Sequence, residues 1–315
     1  MQSEESGSLM GEARTVEEAT LEQIIGLLNF PAGDAVSYKR IDVGITNTNW
    51  IVRRGQDAFF VKVHGENTHI LIDRSAAIAA SVQAGELAVG PKLIASFNNP
   101  GAEVYEFLEG FRNSTVEDLG DPRVRKRLLQ SYKTIHESAP LPLTRTGCDQ
   151  LEQRYAILLS EGIECPGDVP ALVEVCREAG ERVAACRPVM CPCHNDSYSP
   201  NFMIRDSDES IRIVDWEYAA NNDPTWDLTM IALSSALPPE VDWLAEYYGT
   251  VPAIERTKAV LYAGILALSW GVWARLQTKY SSISFDYLAY SDMLLGYARQ
   301  MTSAPEWKDA MCQLS

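Results

Sequence analysis

The sequence predicts an α+β chain of two lobes, a small antiparallel-sheet lobe followed by a larger, mainly helical one. Three observations carry that prediction. Short runs rich in Ile, Val, Phe and Trp crowd residues 38–107. After Leu108-Glu109-Gly110 the apolar residues recur at helical spacing. One short strand pair, near residues 201–214, interrupts the helices. At 315 residues the chain is long enough for two lobes sharing a cleft. A hydrophobic fraction of 46% and a charged fraction of 22% place it among ordinary globular proteins.

Residues 1–14 hold Ser, Gly and Glu without the apolar run of a signal peptide, and are expected to be disordered. Thr15, two glutamates and an apolar stripe predict a helix over 15–28. Residues 49–53 and 58–63 flank Arg54-Gly55-Gln56-Asp57, the pattern of a hairpin. An alanine-rich helix is expected over 73–87, stopping near Gly90-Pro91. Two further strands, 92–97 and 103–107, surround the turn Asn98-Asn99-Pro100-Gly101. Helices follow over 121–138, 150–161 and 170–186, then strands 201–205 and 211–214, then helices from Asp227 onward. The lobes are thus set at 15–108 and 109–315, with the hinge at 105–110 and the ligand cleft between them.

Lys and Arg number 27 against 43 Asp and Glu, a net charge of −16. Such a chain repels a phosphate backbone, so nucleic acid is not an expected partner, whereas a small cation is compatible. Seven cysteines without framework spacing point to a reducing, cytoplasmic compartment. Cys191-Pro192-Cys193-His194 lacks the second ligand pair of a zinc site, so buried thiols are expected there. The longest apolar stretch, 259–274, is broken by Gly264, Ser269 and Gly271; it reads as a buried core helix rather than a membrane span. Nothing in the sequence sets the oligomeric state.

The chemistry concentrates in His194-Asn195-Asp196-Ser197-Tyr198-Ser199-Pro200-Asn201 and Ile213-Val214-Asp215-Trp216-Glu217. An Asp and an Asn five residues apart lie on a turn, and a hairpin then delivers a second Asp. Phosphoryl transfer from ATP needs a carboxylate near the attacking hydroxyl and hard oxygen ligands for Mg2+. These segments resemble the choline/ethanolamine kinase family, within the wider aminoglycoside-phosphotransferase and protein-kinase-like fold. Its HNDxxxxN and apolar-apolar-D-aromatic-E motifs match at each defining position. The resemblance implies that Asp196 accepts or orients the hydroxyl proton and that Asn201 and Asp215 hold Mg2+. It leaves Glu217 open among metal, substrate and backbone. Asp42-Val43-Gly44-Ile45-Thr46-Asn47-Thr48-Asn49 resembles the family's nucleotide loop, which implies ATP contacts at Gly44, Thr46 and Asn47 and a phosphate contact at Lys62.

Two departures from the family pattern stand out. The helix glutamate that fixes the lysine in kinase-like folds is replaced by Ala77, so Asp73 or Glu66 is expected to pair with Lys62. The glutamate near the acceptor's ammonium is replaced by Ser234. The stretch 270–290 resembles the choline-kinase C-terminal region, which implies an aromatic box of Trp270, Trp273 and Tyr290 around a trimethylammonium group. Asp227 either braces the catalytic loop or faces the cleft. The expectation is an ATP- and Mg2+-dependent kinase for choline. Ethanolamine, an aminoglycoside or another hydroxylated amine stays open as the acceptor, as does a degenerate binding module without turnover.

Overall fold

The computed structural model describes residues 7–30, 35–41, 44–238 and 240–314. The chain opens with strand β1 (Ser8–Leu9) and helix α1 (Val16–Leu27). Thr15 caps α1 in a reciprocal box with Glu18. Strands β2 (Val36–Ile41), β3 (Thr48–Arg54) and β4 (Asp57–Val63) run as an antiparallel meander. Helix α2 (Arg74–Glu86) crosses over to β5 (Leu93–Asn98) and β6 (Gly101–Glu106). The sheet order is β1-β2-β3-β4-β6-β5. Its core is formed by Trp50, Val52, Val61, Ala102 and Val104 against Leu21, Ile24 and Ile25 of α1. Because side chains alternate along a strand, burying Val61 in that core turns Lys62 to the opposite face.

Residues 7–14 are not the disordered arm expected. Ser8 and Leu9 pair with Tyr38 and Ser37, and the Glu22 carboxylate accepts the Gly11 and Glu12 amides. Composition missed this because an edge strand can be held by backbone groups alone. Residues 1–6 of that arm lie outside the described residues.

The helical part contains β7 (Phe111–Asn113), α3 (Val116–Gly120), α4 (Pro122–His136), α5 (Gly147–Ser160) and α6 (Val169–Ala185). Strands β8 (Cys191–Cys193), β9 (Phe202–Arg205), β10 (Ser210–Ile213) and β11 (Ala220–Asn222) follow. They form two small sheets, β10-β9-β7 and β11-β8. Helices α7 (Pro224–Ser234), α8 (Trp243–Tyr248), α9 (Ala253–Tyr280), α10 (Tyr287–Ser303) and α11 (Pro305–Gln313) complete the chain. The mix of an antiparallel N-terminal sheet and a helical remainder is the α+β, protein-kinase-like architecture that the sequence predicts.

Helix α9 is longer than the apolar stretch suggested, because Glu255 and Lys258 at one end and Lys279 at the other extend it to 28 residues. By length and composition it could cross a bilayer, yet 72% of its apolar window is buried inside the protein. It is the axle of the larger core, with Leu261, Ile265, Leu268, Val272 and Leu276 packed among residues of α5, α6, α10 and α11. A second core links the two parts of the chain, joining Ala80, Ala84 and Val89 to Leu128, Phe202, Ile213 and Trp216.

Candidate active site

Between β8 and β9 the chain makes a tight loop whose backbone is held from behind by one buried carboxylate. Asp227, on the first turn of α7, is fully buried. Its Oδ1 accepts the Asn195 amide and the Ser197 hydroxyl, each at 2.8 Å. Its Oδ2 accepts the His194 amide at 2.8 Å and lies 3.2 Å from His136 Nε2. Burial works to raise this carboxyl's pKa, but those hydrogen bonds and the neighbouring histidines hold it below the ordinary carboxylate range. Of the two roles left open for Asp227, the geometry is that of a brace. His136, Cys193 and Asp227 also bring one potential ligand atom each within 4.8 Å of one another. With both Asp227 oxygens committed to hydrogen bonds, that cluster is a hydrogen-bond hub.

His194 ties this loop to the next motif. Its Nε2 lies 3.0 Å from the Val214 carbonyl, and its Nδ1 accepts the Asp196 amide at 3.2 Å. Both bonds fit one neutral tautomer, in keeping with burial pulling the imidazole pKa down. Asn195 and Asp215 both adopt left-handed backbone conformations, φ 63° and φ 68°. Asn195 is fixed there by side-chain bonds to the Tyr218 carbonyl and to Asn222. Those bonds over-determine the strained conformation of Asn195.

The result is the convergence of Asp196, Asn201 and Asp215. Asn201 Nδ2 donates to the Asp196 carbonyl at 3.0 Å and to Asp196 Oδ2 at 3.2 Å. Its amide therefore turns its nitrogen to Asp196. Burial and the Asp215 charge push the Asp196 carboxyl up to about 7, against the Asn201 bond and the Arg154 charge, which lower it. The Asp215 side chain keeps 37% of its surface exposed in an otherwise buried cluster. One amide and one partly open carboxylate make a hard-oxygen donor set that fits a magnesium ion, which keeps several waters of its own.

Lys62 reaches this cluster from β4. It is 5% exposed, and its Nζ lies 2.7 Å from Asp215 Oδ1 and 3.6 Å from Glu217 Oε1. Burial alone would lower its pKa; Asp215, Glu217 and Glu103 more than offset that and hold the ammonium well above its ordinary range. The expected pairing with Asp73 or Glu66 is not found. Asp73 caps α2, accepting the Ala76 amide and the Ser75 hydroxyl, and Glu66 is exposed. A residue committed to its own helix N-terminus has no reach to spare for Lys62. Instead Glu103 faces Lys62 in the β4–β6 register and is buried, held by the Tyr105 hydroxyl at 2.6 Å and by His64 at 3.1 Å.

Glu217 touches the loop between β2 and β3. Its Oε1 accepts Asn47 Nδ2 at 3.0 Å and Arg74 Nη1 at 2.6 Å. Asn47 Oδ1 in turn accepts the Gly65 amide at 3.2 Å. Asn47 is thus buried and engaged within the protein rather than projecting toward a ligand. Gly44 has φ 77° and only Asn49 near its missing Cβ. Thr46 lines a small cavity with Glu66, Thr68 and Tyr218. Asp42 and Val43 lie outside the described residues.

The aromatic group divides. Trp270 and Trp273 meet edge-on at 5.4 Å, and Tyr218 closes against Trp270 at 5.3 Å while accepting Trp273 Nε1 at 2.8 Å. Tyr290 instead meets Phe285 edge-on at 5.7 Å, and the Asp196 charge is felt at its hydroxyl. Sequence reasoning missed Tyr218 and, above all, Arg154 of α5. The Arg154 guanidinium lies 4.3 Å from the Trp270 ring centre and 5.2 Å from that of Tyr218. Burial pulls its pKa down to about 10, against the charges of Tyr218 and Asp196. Ser234, at the end of α7, donates its hydroxyl to the Ser197 carbonyl of the acidic loop.

The choline/ethanolamine kinase family profile matches residues 38–248. Ethanolamine kinase 2 of Rattus norvegicus is 28% identical over 291 residues, covering 82% of this chain and 74% of that protein. Its Homo sapiens counterpart is 25% identical, with the same coverage. In fold, the chain resembles a choline/ethanolamine kinase family protein from Mesorhizobium loti, with a TM-score of 0.76 at 23% identity over 95% of this chain and 98% of that one. Choline kinase LicA from Streptococcus pneumoniae gives 0.77 at 19% identity, over 92% and 100%. A profile spanning two thirds of the sequence, with its defining acidic loop assembled in space, makes this chain a member of the choline/ethanolamine kinase family.

Proposed function

We propose that this chain is an ATP- and Mg2+-dependent phosphotransferase that moves the γ-phosphoryl group onto the hydroxyl of a small alcohol. The observation that carries the reading is the meeting of Asp196, Asn201 and Asp215 in front of Lys62. Asn201 and Asp215 would hold magnesium, which when bound offsets the charge of the β- and γ-phosphates. Lys62 would contact the phosphates, and Gly44 and Thr46 would lie along the nucleotide. Asn47 would act one step back, holding the loop through Glu217. Asp196 would orient the hydroxyl and take its proton as oxygen bonds to the γ-phosphorus and ADP departs. Residues 15–108 would form the nucleotide side of the cleft and 109–315 the acceptor side. Seven free thiols support a reducing, cytoplasmic setting.

Two named acceptors are in view. Choline is supported by the resemblance of residues 270–290 to the choline-kinase C-terminal region, with Trp270 and Trp273 brought together at 5.4 Å. Ethanolamine is supported by the names of the curated relatives. ADP release measured with Mg-ATP and an acceptor panel tests the activity. Asp196→Asn and EDTA should each abolish acceptor-dependent ADP. The same background ADP release in Asp196→Asn and wild type, unaffected by acceptor, would mean a binding module without turnover.

A further inference from the structure

The acidic loop grows out of a pair of thiols. Cys191 and Cys193 stand two positions apart on β8, so both side chains leave the same face of the strand. Their Sγ atoms lie 3.9 Å apart, and both thiols are free. Cys193 is fully buried, whereas Cys191 is half-buried and follows residues 187–190, which carry no regular structure. An external reagent therefore meets Cys191 first. The strand itself is weakly held, with three residues and β11 as its one partner in the sheet.

Cys193 is wired into the loop in two ways. It is joined directly to His194, whose amide Asp227 accepts at 2.8 Å. Its thiol also donates to the Asn222 carbonyl at 3.4 Å, across the β8–β11 pair. Asn222 Nδ2 in turn donates to Asn195 Oδ1 at 2.9 Å, one of the bonds that keep Asn195 left-handed just before Asp196. A disulfide would bring the sulfurs from 3.9 Å to about 2.05 Å. Alternate residues of an extended strand have Cα atoms about 6.6 Å apart, near the upper limit a disulfide spans. Closing the pair therefore shortens β8. It also leaves Cys193 with no S–H to donate, so the Asn222 carbonyl loses that bond.

From this geometry we propose that Cys191 and Cys193 form a redox-sensitive dithiol, closed to a disulfide by a small-molecule disulfide of the glutathione type, and that closure slows phosphoryl transfer by displacing the acidic loop. The closure is independent of the phosphotransferase reading; its effect on turnover rests on that reading. Cys191, as its thiolate, attacks one sulfur of the incoming disulfide. That S–S bond breaks, and the first small thiol leaves with the proton Cys191 gave up. Cys193 then attacks the Cys191 sulfur, the mixed bond breaks, and the second small thiol leaves with the Cys193 proton. One external disulfide is reduced to two thiols, and the protein loses two electrons and two protons. Burial holds the Cys193 thiol well above its ordinary range, which keeps it from reacting first. An excess of reducing thiol runs the same exchange backwards and restores the strand.

The test incubates the full chain with oxidised glutathione or with dithiothreitol, alkylates the remaining thiols and maps the peptides by mass. In oxidised wild type, the peptide holding Cys191 and Cys193 should lack both alkyl groups and two hydrogens. Acceptor-dependent ADP release, with Mg-ATP and choline or ethanolamine, should fall about tenfold or more in kcat. Dithiothreitol should reverse both changes. Cys191→Ser removes the attacking thiol and should keep its activity in either condition. A pair that stays open to alkylation under oxidised glutathione, closure with unchanged kcat, or an equal loss in Cys191→Ser overturns the proposal. Should Cys191→Ser fail to fold, a double variant without the exposed thiols, Cys186→Ser with Cys312→Ser, decides it. That variant should respond as wild type does, and a response lost with those thiols refutes the assignment. If the reduced chain releases no acceptor-dependent ADP, the phosphotransferase reading fails on its own. Calorimetry with Mg-ADP then reads the loop: closure that weakens binding supports the dithiol, and closure without effect refutes it.

Discussion

Replacing Asp227 by Asn is the sharpest probe of how the acidic loop is held. The carboxylate serves four donors, two on each oxygen, and each oxygen takes one backbone amide at 2.8 Å. Asn keeps one oxygen and presents an NH2 group in place of the other. Whichever way it turns, one buried amide faces a donor instead of an acceptor. Leaving a buried amide unsatisfied costs about 1–3 kcal/mol, and the surviving bonds lose their charge assistance, about 1 kcal/mol each. Relief of the burial cost of the charge works the other way, so the net loss should be about 3 kcal/mol. Urea denaturation should show the midpoint falling by roughly 1 M with an unchanged slope, for a slope near 3 kcal/mol per M. Activity should fall further than stability, because His194 and Asn195 aim Asp196. A midpoint shift worth less than about 0.5 kcal/mol with intact kcat/KM would refute the brace.

Other predictions follow from neighbouring contacts. Glu103→Gln removes a charge beside Lys62 and should raise the KM for ATP about tenfold, equivalent to roughly 1–2 kcal/mol, with kcat changed less. In Gly65→Ala the added Cβ would stand 2.1 Å from the Thr46 carbonyl, so the loop between β2 and β3 must shift. The cost should be about 1–3 kcal/mol in stability, read by urea midpoint, with weaker ATP binding by calorimetry. Asp196 has a folded-state pKa raised to about 7, above its unfolded value. Ionising it therefore works against the fold, and metal-free stability should decline as pH rises from the ordinary carboxylate range toward 7, then level. Asp196→Asn should flatten that decline in urea midpoints taken between pH 5 and pH 8, and an unchanged slope would contradict the assignment.

Much of this architecture is written locally in the sequence. The hairpin at Gly55, the capping box at Thr15 and the helical stripe of 121–138 depend on near neighbours, and each appears within a few residues of its expected bounds. The acidic loop was legible because Asp196 and Asn201 are five residues apart and share one turn. What stayed hidden were partners chosen by three-dimensional packing. Lys62 pairs with Asp215, 153 positions away, and Glu103 comes opposite it only through strand register, so spacing along the chain pointed to Asp73 and Glu66 instead. Arg154 did leave a trace. It sits on the buried stripe of α5 with Leu151 and Leu158, where a charged residue is out of place and asks for a reason. Residues 7–14 gave none, because β1 is held largely by backbone groups that composition does not report.

The loss of the helix glutamate at Ala77 has a structural answer that changes how the site is controlled. Ala77 is buried in the larger core, and α2 instead contributes Arg74, which binds Glu217 across from the strand-rich part. The carboxylate nearest to Lys62 on its own sheet comes from β6, where backbone pairing fixes the distance. The cluster carries Lys62 and Arg74 against Asp215, Glu217 and Glu103, so the fold already neutralises most of its acidic charge without a metal. On the proposed reading, that balance couples the two ligands. For Asp215 to turn toward a divalent ion it must release Lys62, now 2.7 Å away, and a lysine so released is freed to meet the phosphates. Metal and nucleotide then each lower the cost of the other's arrival, and neither should bind well alone.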